Sequence, residues 1–257
     1  MLFRSNGLLR LELNAATANI NLNLTEGALQ DDDAANDIIA HTVIVTVEDA
    51  DDIADDVGTL TNPINTSVND LTVFTSAGLN HGHQFLREAN GLLRLELNAA
   101  TANINLKLTE GSLQDNDSAD DIIADAAFVT VEDADDNADD LGTLTNPINT
   151  SVNDLTVFTS AGLNHGHQFL REANGLSRLE LNAATANINI KITEGALQDD
   201  DAADDIIAHA AIVTLEDADD NADNVGTLTN PINTSVNDLT VFTSAGLAHG
   251  HQFVREA

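Results

Sequence analysis

Cysteine, tryptophan and tyrosine are absent from the 257 residues, and nine basic side chains face 43 acidic ones. Without cysteine there is no disulfide staple and no thiol chemistry. Without tryptophan or tyrosine the chain lacks the amphipathic aromatic faces that sugars stack on, which argues against a polysaccharide-binding module. No window approaches 18 consecutive apolar residues, so no membrane-spanning helix is expected. Met1–Ser5 has no apolar stretch of the kind a secretion signal carries. The shortage of Lys and Arg leaves a formal charge of -34. Such a surface repels nucleic acid and anionic lipid, whose recognition depends on neutralising phosphate. It attracts cations, and it repels copies of itself at low ionic strength.

What is present is one 84-residue unit written three times, at 6–89, 90–173 and 174–257, without a gap. GTLTNPINTSVNDLTVFTSAGL recurs unchanged at Gly58–Leu79, Gly142–Leu163 and Gly226–Leu247. Met1–Ser5 is left over. The start MLFRSNG echoes FLREANG at Phe85–Gly91, so 1–5 is read as the remnant of a preceding copy. A fixed period of this kind signals stacked or strung copies of one folding unit. Hydrophobic residues make up 42% of the chain, too many for a disordered polyanion. With so few aromatics, the core has to be built from Leu, Ile, Val and Ala, and a single 84-residue copy is marginal alone. Support from metal, from neighbouring copies or from other chains is expected.

Within one copy, Leu9–Leu13 and Asn19–Thr25 alternate apolar and polar residues, the pattern of half-buried strands. With Asn14–Ala18 between them they predict a hairpin. Ile38–Val47 is apolar on both faces in its middle and predicts a central strand. Val68–Thr75 and Gln84–Glu88 are further strands, and Gly58–Pro63 is a turn-rich connector. Five to seven short strands in each copy predict three tandem small β-sandwiches, Ig-like or cadherin-like, in an all-β chain. A continuous β-solenoid is the alternative, although solenoids usually show shorter internal periods.

Two acidic segments flank the third predicted strand. Calcium takes six to eight hard oxygen ligands, which clustered Asp, Asn and loop carbonyls supply. The candidate ligands are Asp31, Asp33, Glu48, Asp49, Asp51 and Asp52, with Asp115, Asp117, Glu132, Asp133, Asp135 and Asp136 in the second copy. The third copy supplies Asp199, Asp201, Glu216, Asp217, Asp219 and Asp220. An extended ten-residue strand would hold the two segments of one copy roughly 30 Å apart. Metal between the ends of successive modules is therefore expected. The competing reading is a solvated acidic surface. Neither the EF-hand loop nor the nonapeptide of calcium β-rolls is present.

His81-Gly82-His83 recurs at His165 and His167 and at His249 and His251. Two imidazoles at this spacing on a strand share a face and form a second candidate metal site, for zinc, copper or nickel. The competing reading is a turn whose histidines bond locally. The glycosylation pattern at Asn65 recurs at Asn149 and Asn233. There is no phosphate loop, nucleophile elbow or recognisable triad, so no enzyme is expected.

On these features, and on the strand-then-acidic segments Val45–Asp52 and Val129–Asp136, the chain resembles the extender regions of bacterial tandem-repeat adhesins. That resemblance implies cell-surface or extracellular β-sandwich repeats rigidified by calcium, spacing a ligand-binding tip from the cell. The sequence thus predicts a non-enzymatic cation-stiffened spacer whose partners are further copies of the same repeat. A self-assembling subunit of an extracellular filament or sheath is the alternative, because open strand edges invite pairing.

Overall fold

The computed structural model describes residues 2–3, 7–48, 55–78, 80–132, 139–160, 164–216, 223–243 and 249–256. Among them are twenty strands and no helix. Every strand pairing is parallel. Each strand generally pairs with the strand two further along, so two strands build each turn of a parallel β-solenoid. The turns advance by 20 residues where Gln84 meets Ile104 and by 28 where Thr42 meets Asp70.

The β-sandwich expectation is overturned and the solenoid alternative holds. The expected hairpin shows why. Leu13–Asn14 pairs with Ile38–Ile39, and Asn19–Leu24 pairs with Thr42–Val47. Alternation along a strand shows that one face is buried; it does not say which strand lies alongside. Asn14–Ala18 is a corner between two sides of one turn. Asn14 Oδ1 accepts from Ala16 N at 3.1 Å, and Ala18 N donates to Ala15 O. Ala16, Ala100 and Ala184 adopt left-handed φ of 50°, 49° and 46° to make this corner. The predicted third strand bends in the same way. It divides into Ile38–Ile39 and Thr42–Val47, whereas its third-copy counterpart runs unbroken from Ile206 to Leu215.

The core consists of apolar ladders climbing the stack. Ile64, Leu86, Leu106, Val129, Val157, Leu181 and Ile206 are successive register partners, all buried. This one ladder passes through all three sequence copies without a joint. One hydrophobic cluster extends from Leu11 to Ile232. Each turn can leave an apolar face that would be untenable alone, because the next turn covers it.

Sequence copy and structural turn are out of step. The first and second copies each contribute seven strands, from Leu13–Asn14 to Gln84–Glu88 and from Arg94–Asn98 to Gln168–Glu172. With two strands to a turn, one copy spans three and a half turns. Leu13, Ile38, Thr66, Glu88, Leu108 and Val131 stack in one column. Their counterparts Leu97, Ile122, Thr150, Glu172, Ile192 and Leu215 stack in the other, continuing the ladder Leu22, Val45, Val73. Successive copies therefore face opposite ways.

Candidate metal centre

The segment before each Ile-Ile pair folds into a corner that carries three carboxylates. Asp31 Oδ1 accepts from Leu11 N at 3.0 Å, and its Oδ2 accepts from Asp33 N at 2.8 Å. Asp33 Oδ1 accepts from Ala35 N at 2.8 Å, closing a second small turn. Asp37 Oδ2 accepts from Asn65 N at 2.7 Å. Leu11 belongs to the turn below and Asn65 to the turn above, so the Asp31–Asp37 corner ties three successive turns together. The second copy repeats this with Asp115 on Leu95 N and Asp117 N, and Asp121 on Asn149 N. In the third, Asp199 accepts from Asp201 N, and Asp205 from Asn233 N at 2.6 Å.

Asp31, Asp33 and Asp37 place one carboxylate oxygen each within 4.8 Å of one another, as do Asp115, Asp117 and Asp121, and Asp199, Asp200 and Asp201. Asp31 and Asp37 are buried, at 4% and 2% exposure, while Asp33 is exposed. Their electrostatics diverge. Burial pushes Asp37 up to about 7, and the nearby Asp31 charge adds to the rise against the opposing Asn65 amide. Burial raises Asp31 too, but the amides of Asp33 and Leu11 and a hydrogen bond from Asp37 outweigh it, leaving Asp31 below the usual carboxylate range. Asp37 is thus the weaker acid of the pair and Asp31 the stronger. Burial likewise pushes Asp121 to about 8, with Asp115 and Asp117 adding like charge. Asp205 is raised for the same reasons.

A second set of buried carboxyls sits inside the apolar ladders. Glu88 lies between Thr66 and Leu108 in register. It accepts from Thr66 Oγ1 at 2.5 Å, from Val68 N at 3.1 Å and from Asn90 N at 3.2 Å. Glu172 makes the same contacts with Thr150, Val152 and Asn174. Burial pushes both up to about 7 against these donors.

The structure brings together only part of the predicted ligand set. Asp31, Asp33, Asp115, Asp117, Asp199 and Asp201 converge as expected, joined by Asp37, Asp121 and Asp200. Glu48, Glu132 and Glu216 belong to none of these clusters. Glu132 and Glu216 pair instead with Lys107 and Lys191, both at 2.7 Å. Asp49, Asp51, Asp52, Asp133, Asp135, Asp136, Asp217, Asp219 and Asp220 lie outside the described residues. Among the described residues each cluster lies inside one copy, and the junction between separate modules at which metal was expected does not exist in the continuous solenoid.

The histidines bond locally. His81 Nδ1 lies 2.8 Å from Thr101 Oγ1, and His83 Nδ1 accepts from Asn103 N at 2.9 Å, linking adjacent turns. His165 and His167 repeat this with Thr185 and Asn187. Their Nδ1 atoms are thus spent on neighbouring turns, and no described His, including His249 and His251, joins a cluster of three metal-ligating side chains. Asn65 is 4% exposed, and its amide donates to Pro63 O at 3.2 Å, so the folded chain does not offer it for glycosylation. Comparison with models of known families, with characterised proteins and with solved structures finds no match.

Proposed function

We propose that the chain is a non-enzymatic structural spacer, extracellular or on a cell surface, stiffened by calcium at its Asp corners. The observation that carries this reading is the corner itself. Three carboxylates converge where one side-chain pair already grips the turn below and the turn above. A divalent cation there would offset repulsion between the carboxylates. Hard oxygen donors and backbone carbonyls are the ligand set calcium prefers. Repetition of the corner in each copy suits a rod better than a catalyst, which needs a single site.

Calorimetry in calcium and in a chelator tests it. A ligand at a hundred times its Kd adds about 2.7 kcal/mol per site to the folded state. Calcium is therefore expected to raise Tm by several degrees, and Asp31→Asn, Asp115→Asn and Asp199→Asn together to abolish the rise. Identical melting with saturating calcium and with chelator would eliminate the cation.

A further inference from the structure

The two joints between sequence copies are built alike. Where the second copy follows the first, Asp70–Phe74 takes Arg94–Asn98 alongside it, and Gln84–Glu88 takes Ile104–Leu108. Where the third follows the second, Asp154–Phe158 takes Arg178–Asn182, and Gln168–Glu172 takes Ile188–Ile192. The first joint buries Leu71, Val73 and Leu86 on one side and Leu95, Leu97 and Ile104 on the other, all to 2% exposure or less. Leu155, Val157, Leu170, Leu179, Leu181 and Ile188 do the same at the second. The polar edges match too. Thr75 N donates to Asn98 O at 3.0 Å and Leu93 N to Asn69 O at 2.8 Å, as Thr159 N and Ser177 N do to Asn182 O and Asn153 O. Asp70 meets Arg94 in register, and Asp154 meets Arg178.

The outermost windings carry the two halves of this joint apart from each other. At one end, Leu239, Val241 and Val254, the counterparts of Leu71, Val73 and Leu86, are only partly buried. Gln252 and Glu256 are exposed there, although Gln84 and Glu88 are fully buried. At the other end, Leu13 and Ile20, the counterparts of Leu97 and Ile104, are again only partly buried. Leu2–Phe3 lies along Asn23–Leu24, one residue out of step with the joint, where Arg87, the counterpart of Phe3, meets Lys107. An open strand edge beside an apolar row is a template for another strand. What covers these rows is specified inside the molecule: twice over, the same residues are covered by the same partner sequence.

We propose that the two end faces dock on each other between molecules, the last windings of one chain seating the first windings of a second copy in the register of the internal joints. Leu239 then meets Leu11, Val241 meets Leu13, Val254 meets Leu22, and Asp238 faces Arg10. Val254–Glu256 takes the place of the two-residue strand Leu2–Phe3. The contact is head to tail, so it does not close on itself, and the apolar ladders run on from chain to chain.

Sedimentation velocity in chelator tests this apart from the cation reading. Salt of about 0.15 M gives a Debye length of about 8 Å, which screens the net charge but not two side chains in contact. The average mass of the wild type is expected to rise roughly twofold or more with concentration. Leu239→Asp with Val241→Asp is expected to stay monomeric. Arg10→Asp and Asp238→Arg each set like charges opposite one another and are expected to lower the association constant about threefold or more. Both positions are exposed, so circular dichroism and Tm should not change. Combining the two substitutions reverses the pair and is expected to restore association, which a contact elsewhere on the molecule would not do. A wild type that stays monomeric at high concentration overturns the proposal. So does a combined variant that associates no better than either single variant.

Discussion

At the scale of single residues, Asp31 and Asp37 respond to the same isosteric change in opposite ways. Asp31 receives two backbone amides, one on each oxygen. Asn at that position in all copies has one acceptor for two donors, at a cost of about 1–3 kcal/mol for each stranded amide. Asp37→Asn keeps an oxygen for Asn65 N and gains an N–H for Asp31. Thermal unfolding at pH 5 and pH 8 is expected to show the Asp31 variant weaker at both. The Asp37 variant should match wild type at pH 5 and exceed it at pH 8. The direction follows from the raised carboxyls. Unfolded, they ionise near 4; folded, Asp37, Glu88 and Glu172 hold their protons to about 7 and Asp121 to about 8. The folded state binds more protons across that window, so stability falls as pH rises through it. Tm in chelator should drop by several degrees between pH 5 and pH 8. Asp37 could have been found in the sequence. Positions 31, 33 and 37 keep Asp in all copies, whereas Asp32 becomes Asn116 and Asn36 becomes Asp120. The sequence reading picked out Asp31 and Asp33 and passed over Asp37, which sits at the end of the acidic run beside the following strand.

At the scale of the turn, steric fit decides. A Cβ on Gly82, Gly166 or Gly250 would overlap the carbonyl oxygen of Asp55, Asp139 or Asp223 on the adjoining turn. Gly166→Ala is expected to cost about 3 kcal/mol, the upper end for overpacking, and to open the neighbouring turns to protease. Leu106→Ala, in the continuous ladder, should cost about 2–5 kcal/mol in urea titration. Leu60→Ala, at an exposed turn, should stay within about 0.5 kcal/mol of wild type. The strands themselves were legible: Asn19–Leu24, Asp70–Phe74 and Gln84–Glu88 fall where alternation and β-branching place them. Their partners were not. Turns that vary between 20 and 28 residues along the chain blur the short period that marks a solenoid. The exact 84-residue repeat, being three and a half turns, points to modules that do not exist.

At the scale of the whole molecule, length is set by turns. Adding one copy should lengthen the rod by about 17 Å, from rungs roughly 4.8 Å apart. Small-angle scattering of arrays of two, three and four copies measures that increment. A string of separate sandwiches would grow by a far larger step.

The unbroken ladder from Ile64 to Ile206 also determines behaviour under load. A chain of independent beads pulled from its ends yields one bead at a time, each in a single abrupt loss. Here tension would peel the outermost winding first, freeing on the order of 80 Å of slack for about 24 residues, while the windings beneath stay closed. A solenoid wound this way gives way gradually and can rewind from the part still wound.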